Sequence, residues 1–353
     1  MHEIYKKIRE KLDSMSMGFP STESGVEFKV LENFFTPEHA EIFLAMKDDF
    51  QTADEVAACM NKDKSGIEKS LEEMVKKSLL FSFADKGIKK YRIFPFLVGI
   101  ADFQIDRLNK ESAEDLANYM SQGLRKAGLG TTIPVTRILP VNANLVSDSR
   151  ILPFDDAVHL VKQKQRVSLA KCMCRQVGEL LGRPCEHPLE TCLQFDQYAD
   201  YFVENGMARY ITKEEAIEHL KRNEGRGLVI EVVNSEDTEI MCSCCKCHCT
   251  ILMLLKSTAG KARECISNYA SRRDVSLCTH CAVCVNRCPS KARISVEGKV
   301  QYRSDLCIGC GLCVSTCRAG ANKLEQKENN RLYHPEKTLF QTYEAMKKSR
   351  MTR

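Results

Sequence analysis

Eight cysteines near the C-terminal end of the chain fall into two copies of one spacing, C-x₂-C-x₂-C-x₃-C. Thiolates at these intervals are the ligands that hold a cubane cluster of iron and sulfide, because the short gaps let one loop present successive sulfurs. The two copies therefore predict two [4Fe–4S] clusters. The predicted ligands are Cys278, Cys281, Cys284, Cys288, Cys307, Cys310, Cys313 and Cys317.

The fourth cysteine of each copy is expected to ligate the cluster of the other copy. Pro289 suits a chain that turns away after a ligand, and Gly309 and Gly311 allow the backbone to approach inorganic sulfide closely. A zinc ribbon uses cysteine pairs separated by longer gaps and does not fit this spacing. The predicted ligand sets are Cys278, Cys281, Cys284 and Cys317 for cluster one, and Cys307, Cys310, Cys313 and Cys288 for cluster two.

The same segment resembles the bacterial two-cluster ferredoxins over roughly residues 275–320. The resemblance implies a pseudo-two-fold β-α-β-type module with both clusters close together in its core. Residues 294–296 and 299–302, on either side of Glu297 and Gly298, match the short hairpin between the motifs. One departure is Arg318, which follows Cys317 in place of a proline and puts a positive charge in the vicinity of cluster one.

Cysteine distribution indicates the cellular compartment. The chain has 353 residues, enough for two or three domains, and of its 19 cysteines only Cys59 precedes Cys172. This clustering suits metal ligands, which need a reducing compartment, better than disulfides. Residues 1–17 lack a signal-peptide core, and the apolar stretches are too short to span a membrane. We therefore expect a cytoplasmic protein with no membrane span, from an anaerobic or low-oxygen setting.

Residues 1–110 are predicted to form a winged-helix-like domain. Periodicity over 38–47, a capping box from Thr52 to Glu55 and an apolar face over 65–80 predict three helices. A turn at 85–87 then predicts a β-hairpin. This order resembles a winged helix over roughly residues 35–100, a unit that often binds DNA. Because the third helix mixes lysines with glutamates, we favour docking of a partner protein over DNA binding.

Residues 111–260 are predicted to form a cysteine-rich α/β domain. Helices are expected over 109–124, 155–165, 195–205 and 212–223, and strands over 132–141 and 228–233. Residues 261–330 would form the dicluster ferredoxin domain, and 331–353 a C-terminal tail. The expected fold class is thus α+β and multidomain.

The middle domain contains more cysteines than packing requires. Along extended C-x-C segments the alternate sulfurs share one face about 6.5 Å apart, which suits a cluster better than one zinc unless the chain bends. A third metal centre is therefore predicted, with iron–sulfur favoured over zinc and reactive thiols as a further alternative. Arg175, His187 and His248 could tune it by hydrogen bonding. The candidate ligands are Cys172, Cys174, Cys185, Cys192, Cys242, Cys244, Cys245, Cys247 and Cys249.

Three functions fit these predicted sites. The leading hypothesis is an electron-transfer protein that relays low-potential electrons to or from a redox partner protein in an anaerobic system. A second is a reductase whose active site is the middle cysteine region. A third is a redox-sensing transcription regulator that binds DNA through the winged-helix-like unit. The sequence shows no dinucleotide-binding loop or Walker motif, which favours a relay over catalysis with an organic cofactor.

Overall fold

The computed structural model describes residues 2–124, 127, 131–140, 152–255 and 266–351. Among these residues, no helix is both long and apolar enough to cross a bilayer. The α-helices of the described ranges, numbered in chain order, are α1 His2–Asp13, α2 Val26–Phe34, α3 Pro37–Ala45, α4 Ala53–Met60, α5 Lys64–Lys76, α6 Lys110–Tyr119, α7 Ala157–Gln163, α8 Met173–Leu180, α9 Gln197–Glu204, α10 Lys213–Gly225, α11 Thr250–Leu255, α12 Val283–Arg287, α13 Leu312–Ser315 and α14 Leu339–Met351.

The three helices predicted between residues 38 and 80 are present as α3, α4 and α5. The Thr52 side chain accepts a hydrogen bond from the Glu55 N–H, and the Glu55 carboxylate accepts one from the Thr52 N–H. This reciprocal pair is the predicted capping box, and it satisfies N–H groups that the first turn of α4 leaves unpaired. Asp63 caps α5 in the same way by accepting from the Gly66 N–H.

The predicted hairpin follows these helices directly. Strands β1 Leu80–Asp85 and β2 Ile88–Ile93 pair antiparallel. The two residues between them, Lys86 and Gly87, both have positive φ, which is the backbone of a tight hairpin turn. The order of helices and hairpin is therefore confirmed, while its relation to winged-helix proteins stays a prediction.

The middle of the chain folds around one six-stranded sheet, in which neighbours follow the order β3-β7-β8-β5-β4-β6. Alternating helices and strands predicted an α/β domain, yet all of these pairings are antiparallel. The physical reason is visible between β7 and β8, where the short connection 234–239 can join only antiparallel neighbours.

The predicted strand 132–141 is shorter in the structure, and its last residue lies outside the described ranges. The strands are β3 Thr136–Leu139, β4 Val167–Lys171, β5 Glu190–Phe195, β6 Ala208–Ile211, β7 Val229–Val233 and β8 Ile240–Cys244.

The C-terminal cysteine segment forms a small module with two short helices. Strand β9 Tyr269–Arg273 pairs antiparallel with β12 Asn322–Gln326, so the module begins and ends in one ribbon. Between them, β10 Arg293–Val296 pairs with β11 Lys299–Tyr302, which confirms the predicted hairpin. Helices α12 and α13 each follow one cysteine loop, which gives the two halves the same order of elements.

The last helix, α14, returns to the N-terminal part of the molecule. Leu339, Tyr343 and Met346 are buried in the same apolar core as the first helices and the hairpin. The Tyr343 hydroxyl donates to the Val98 carbonyl, and Arg350 donates to the Asp13 carbonyl at 2.6 Å. The predicted C-terminal tail thus contains a helix that packs against residues from the start of the chain.

Met346→Ala tests this packing, because the Met346 side chain is 0% exposed. Removing a fully buried methionine side chain is expected to lower the free energy of unfolding by about 2–5 kcal/mol. Anaerobic urea unfolding followed by circular dichroism measures the loss. Met351→Ala is the matched control, since Met351 ends the same helix but is 73% exposed. Equal losses in both variants would contradict the packing described.

Candidate metal centres

The two cysteine loops of the C-terminal module fold alike. In the second loop Gly309 and Gly311 have positive φ, on either side of Cys310. In the first loop His280 and Ala282 occupy the equivalent positions and also have positive φ. Positive φ is sterically unfavourable for residues other than glycine. Its presence at equivalent positions of both loops therefore indicates that the two loops require the same backbone conformation.

Strand β9 holds the second loop from one side. The Ser271 N–H donates to Cys307 Sγ at 3.5 Å, and the Cys313 thiol donates to Ser271 Oγ at 3.3 Å. At Gly309, a Cβ would stand 2.2 Å from the Tyr269 carbonyl oxygen, so only glycine fits there. His280 is not placed as a ligand, because its Nδ1 accepts from the Val300 N–H at 3.0 Å.

The sulfurs form two neighbourhoods. Burial raises the pKa of the Cys310 thiol, and the charges of Cys313, Cys307 and Cys288 raise it further. Cys288 therefore lies among the cysteines of the second loop, although it belongs to the first copy of the motif. The crossed ligand set for cluster two stays a prediction.

The first loop has its own neighbours. Burial raises the pKa of the Cys284 thiol, and among the smaller effects the charges of Cys278 and Cys281 act in the same direction. The thiols of Cys278 and Cys281 are thus near enough to Cys284 to influence its pKa, and the ligand set of cluster one stays a prediction. Cys317, its predicted fourth ligand, is half-buried at the end of the second copy.

Two arginines lie against these sulfurs. Arg293 is 2% exposed and stacks 3.8 Å from the centre of the Tyr302 ring. It donates one hydrogen bond, to Ser271 Oγ at 2.7 Å, while its Nε and Nη1 find no partner among the described residues. Burial opposes ionisation of the Cys278 thiol, but a backbone N–H, Arg273 and Arg293 outweigh it and lower the pKa. Arg318, which the sequence suggested as the nearby cation, is exposed.

The donor set fits iron–sulfur clusters. The described cysteines are all free thiols. The positive charge of Arg293 lowers the pKa of Cys278 and opposes the rise at Cys284 and Cys313, and its Nε and Nη1 have no hydrogen-bond partner in the described ranges. Clusters ligated by four thiolates carry net negative charge, and buried cations and N–H donors near the sulfurs stabilise it.

Comparison with known families agrees with this arrangement. A family model described as a 4Fe-4S dicluster domain matches residues 270–318. The chain carries a 4Fe-4S dicluster domain. No curated protein and no solved structure matches the chain. The match supports iron–sulfur cluster binding by the C-terminal module and does not extend to the middle cysteines.

The nine middle cysteines separate into two groups. Register brings Cys192 on β5 opposite Cys242 on β8, and their sulfurs lie 3.3 Å apart. Cys242 also contacts Cys244, two residues along the same strand face. Contacts from Cys244 to Cys249, from Cys249 to Cys174 and from Cys174 to Cys172 continue the series. We call this series the six-thiol group: Cys172, Cys174, Cys192, Cys242, Cys244 and Cys249.

Two features of this group differ from the extended C-x-C segments considered from the sequence. Strand β4 ends at Lys171, and Cys174 lies in the first turn of helix α8, so the chain turns between Cys172 and Cys174. Strand β8 ends at Cys244, and the chain turns over residues 246–248. The predicted alternation of faces therefore holds for Cys242 and Cys244 and fails beyond them.

The six-thiol group lines a cavity of about 100 Å³ together with two acidic residues. Burial raises the pKa of Asp102 to about 7, and the charge of Cys174 adds to this effect. Burial also raises the pKa of Glu231 to about 7, and its Oε2 accepts from the Cys249 thiol at 3.6 Å. So many acidic groups out of water require either protonation or a cation among them, and the donor set therefore fits a metal centre.

The remaining three cysteines join a histidine. One ligand atom each from Cys185, Cys245, Cys247 and His248 lies within 4.8 Å of the others. We call these four residues the Cys₃His group. His187, which the sequence offered as a tuning residue, lies outside it, and burial together with the charge of Arg175 lowers its pKa.

Arg175 lies between the two groups. It is fully buried and donates to the Pro188 and Ser243 carbonyls and to Thr191 Oγ1. Burial alone would lower its pKa, but the charges of Cys172, Cys245 and Cys185 outweigh that and raise it. The guanidinium thus remains charged and offsets thiolate charge on both sides.

Sequence reasoning missed several of these neighbours. Arg293 and Asp102 belong to ordinary strand or loop segments, and nothing local in the sequence distinguishes them from solvent-facing residues. Their placement depends on sheet register and on contacts between distant segments. Local signals existed for Glu231, a charged residue inside the apolar segment 228–233, and for Arg175, which closes the segment Cys172-Met173-Cys174-Arg175.

Arg293→Met tests the influence of the buried cation on the dicluster domain. A unit charge about 8 Å away, at an effective dielectric constant of about 20, contributes about 2 kcal/mol. We expect reduction potentials to fall by roughly 50–100 mV, because the added electron loses a nearby positive charge. Potentiometric titration monitored by EPR measures the change.

Two control variants make this test specific. Arg272→Met removes an exposed arginine that is paired with Glu325 at 2.9 Å and should leave the potentials unchanged. Arg293→Lys keeps the charge and should retain most of the native potential. A potential that is insensitive to Arg293→Met would contradict the assigned role.

Proposed function

We propose that this protein is an iron–sulfur electron-transfer protein with two [4Fe–4S] clusters in the dicluster domain and a third iron–sulfur centre at the six-thiol group. One observation carries the proposal: a single apolar core contains Cys244 and Cys249 of the six-thiol group together with Cys310 of the dicluster domain. A shared packed core shields both sets of thiols from water, and this supports an exchange of electrons between them.

In the dicluster domain we propose the ligand sets that the spacing predicts. The position of Cys288 among Cys307, Cys310 and Cys313 supports the crossed assignment. Cys278, Cys281, Cys284 and Cys317 would hold the other cluster. When bound, such clusters store and release single electrons. The protein supplies the curled loops, the Ser271 hydrogen bonds and the cations that set how readily an electron is accepted.

For the third centre, the continuous sulfur contacts support a cluster rather than isolated thiols. Cys172 and Cys174 come from the junction of β4 and α8, Cys192 from β5 and Cys242 from β8. Several rigid elements therefore point thiols into one cavity, as a preorganised cluster site requires. Not all six sulfurs are needed as ligands, and Glu231 offers an additional oxygen donor beside Cys249.

The middle and dicluster domains are joined by direct hydrogen bonds. Arg287, one residue before Cys288, donates to the Glu224 carbonyl at 2.7 Å and to the Gly225 carbonyl at 3.0 Å. Lys246 donates to the Asn286 carbonyl at 2.8 Å. These contacts fix the position of the dicluster domain against the middle cysteines, which supports a relay of electrons between them.

The N-terminal unit, proposed as a winged-helix-like domain over residues 1–110, would dock a redox partner protein. Two lysines of its hairpin are paired with carboxylates: Lys89 with Glu72 at 2.8 Å, and Lys90 with Asp85 at 2.9 Å. Paired lysines attract phosphates weakly, so the hairpin favours a protein surface over DNA. A cytoplasmic, anaerobic setting is proposed because metal-binding thiolates must stay reduced.

Iron content of paired variants tests the third centre. Anaerobically purified protein is expected to contain about twelve irons per chain, four for each cluster. Cys242→Ser with Cys244→Ser should remove about four irons and leave the EPR signals of the dicluster domain. Cys310→Ala with Cys313→Ala should instead remove signals of the dicluster domain and keep the third centre.

Cys59→Ser is the control, because Cys59 is exposed and remote in sequence from both groups. A wild-type protein with about eight irons, unaffected by the substitutions at Cys242 and Cys244, would contradict the third centre. Circular dichroism checks that each variant has the same secondary structure content as the wild-type protein.

A reductase is the second candidate function, and a cleft favours it. A largely apolar cleft of about 670 Å³ is lined by Cys174 of the six-thiol group and by Asp102, which also lines the cavity of that group. Cys247 and His248 of the Cys₃His group line the same cleft. A small apolar substrate in this cleft would reach the third centre directly.

Carbon monoxide distinguishes the two candidates, because it binds reduced iron that has an open coordination position. A reductase predicts a new EPR or infrared signal with the reduced protein, lost when Ala117→Trp narrows the cleft. A relay with complete cysteine ligation predicts no change on adding carbon monoxide.

A further inference from the structure

The Cys₃His group has the geometry of a different kind of site. Cys185, Cys245, Cys247 and His248 place one ligand atom each within 4.8 Å of one another. We propose that these residues bind a single Zn²⁺ ion in tetrahedral coordination. The inference goes beyond the proposed electron-transfer function, and neither depends on the other.

The sulfur spacing carries the proposal. Cys185 Sγ lies 3.8 Å from Cys245 Sγ and 3.8 Å from Cys247 Sγ. Zinc–sulfur bonds are about 2.3 Å long, so ligand sulfurs at tetrahedral angles lie about 3.8 Å apart. Four donor atoms, three sulfurs and one nitrogen, lie within reach of one ion here, whereas the six-thiol group extends over six sulfurs. The turn over residues 246–248 brings Cys245 and Cys247 together, and this is the bend that an extended C-x-C segment lacks.

His248 is oriented as a metal ligand. Its Nε2 lies 2.8 Å from the Arg183 carbonyl oxygen and donates to it, which leaves Nδ1 as the nitrogen with a lone pair. Nδ1 is buried and has no hydrogen-bond partner among the described residues. Metal-binding histidines typically donate their other ring N–H to a carbonyl, because this fixes the ring and its tautomer.

The neighbouring helix leaves room for this imidazole. Gly178 lies inside α8, where glycine costs about 1 kcal/mol relative to alanine. A Cβ at Gly178 would stand 2.4 Å from His248 Cδ2. The helix therefore has an unfavourable residue at a position where a side chain would displace the histidine.

Charge also favours the ion. Three thiolates and one Zn²⁺ leave a single negative charge, and the Arg175 guanidinium contacts Cys245 and supplies one positive charge. In the proposed site the three thiols release their protons when the ion binds. The ion would join the segment after α8 to the turn after β8, beside the Lys246 contact with the dicluster domain. A structural role in holding the two domains together follows from this position.

Zinc and iron measured on the same full-length protein test the proposal. Anaerobic protein with a full complement of iron is expected to contain about one zinc per chain. His248→Gln and Cys185→Ser should each lower zinc several-fold and leave the iron content and the EPR signals unchanged. Gly178→Ala, which crowds His248 without removing a ligand, should also lower zinc.

Cobalt provides a second measurement that does not depend on how well the variants fold. Protein reconstituted with Co²⁺ in place of Zn²⁺ should show the intense visible bands of tetrahedral cobalt with thiolate ligands. Cys192→Ser is the matched control within the middle domain, since it alters the six-thiol group and should keep the zinc. The assignment would be overturned if the wild-type protein contained no zinc. It would also be overturned if His248→Gln lost one iron and no zinc, or if Cys192→Ser lost as much zinc as His248→Gln.

Discussion

Burial of anionic sulfur is the constraint on which the rest of this structure depends. Cysteine binds metal as the thiolate, yet Cys244 and Cys249 of the six-thiol group and Cys310 and Cys313 of the second cysteine loop are buried. Such charge is stable only when metal ions, buried cations and N–H donors surround it. Arg175 provides a buried positive charge in the middle domain, and Arg293 provides one in the dicluster domain.

Local patterns predicted the parts of the molecule in which ligands are close in sequence. The dicluster domain and the hairpin between its two cysteine motifs follow from spacing and turn residues, because the cysteines of each motif lie close together in the chain. The capping box at Thr52 was equally predictable, since all of its hydrogen bonds lie within four residues. The matching backbone of His280 and Ala282 was not, because only the glycines of the second loop give a local signal.

The middle domain could not be predicted in the same way, because its geometry depends on pairing between distant strands. Register sets Cys192 against Cys242, and the end of β8 at Cys244 decides which later cysteines turn away. The sequence left a cluster and a zinc site as competing interpretations of nine cysteines. The structure separates those cysteines into two groups with different donor sets, and we therefore propose each interpretation for different residues.

Reductive titration under strict anaerobic conditions tests the central claim most directly, because it counts the electrons that the protein accepts. The dicluster domain alone accounts for about two electrons per chain, one for each [4Fe–4S] cluster. A third centre in electronic contact with it predicts about three, with broadened EPR signals from interacting spins when reduction is complete. Uptake of two electrons, with signals of the dicluster domain only, would contradict a relay that extends into the middle domain.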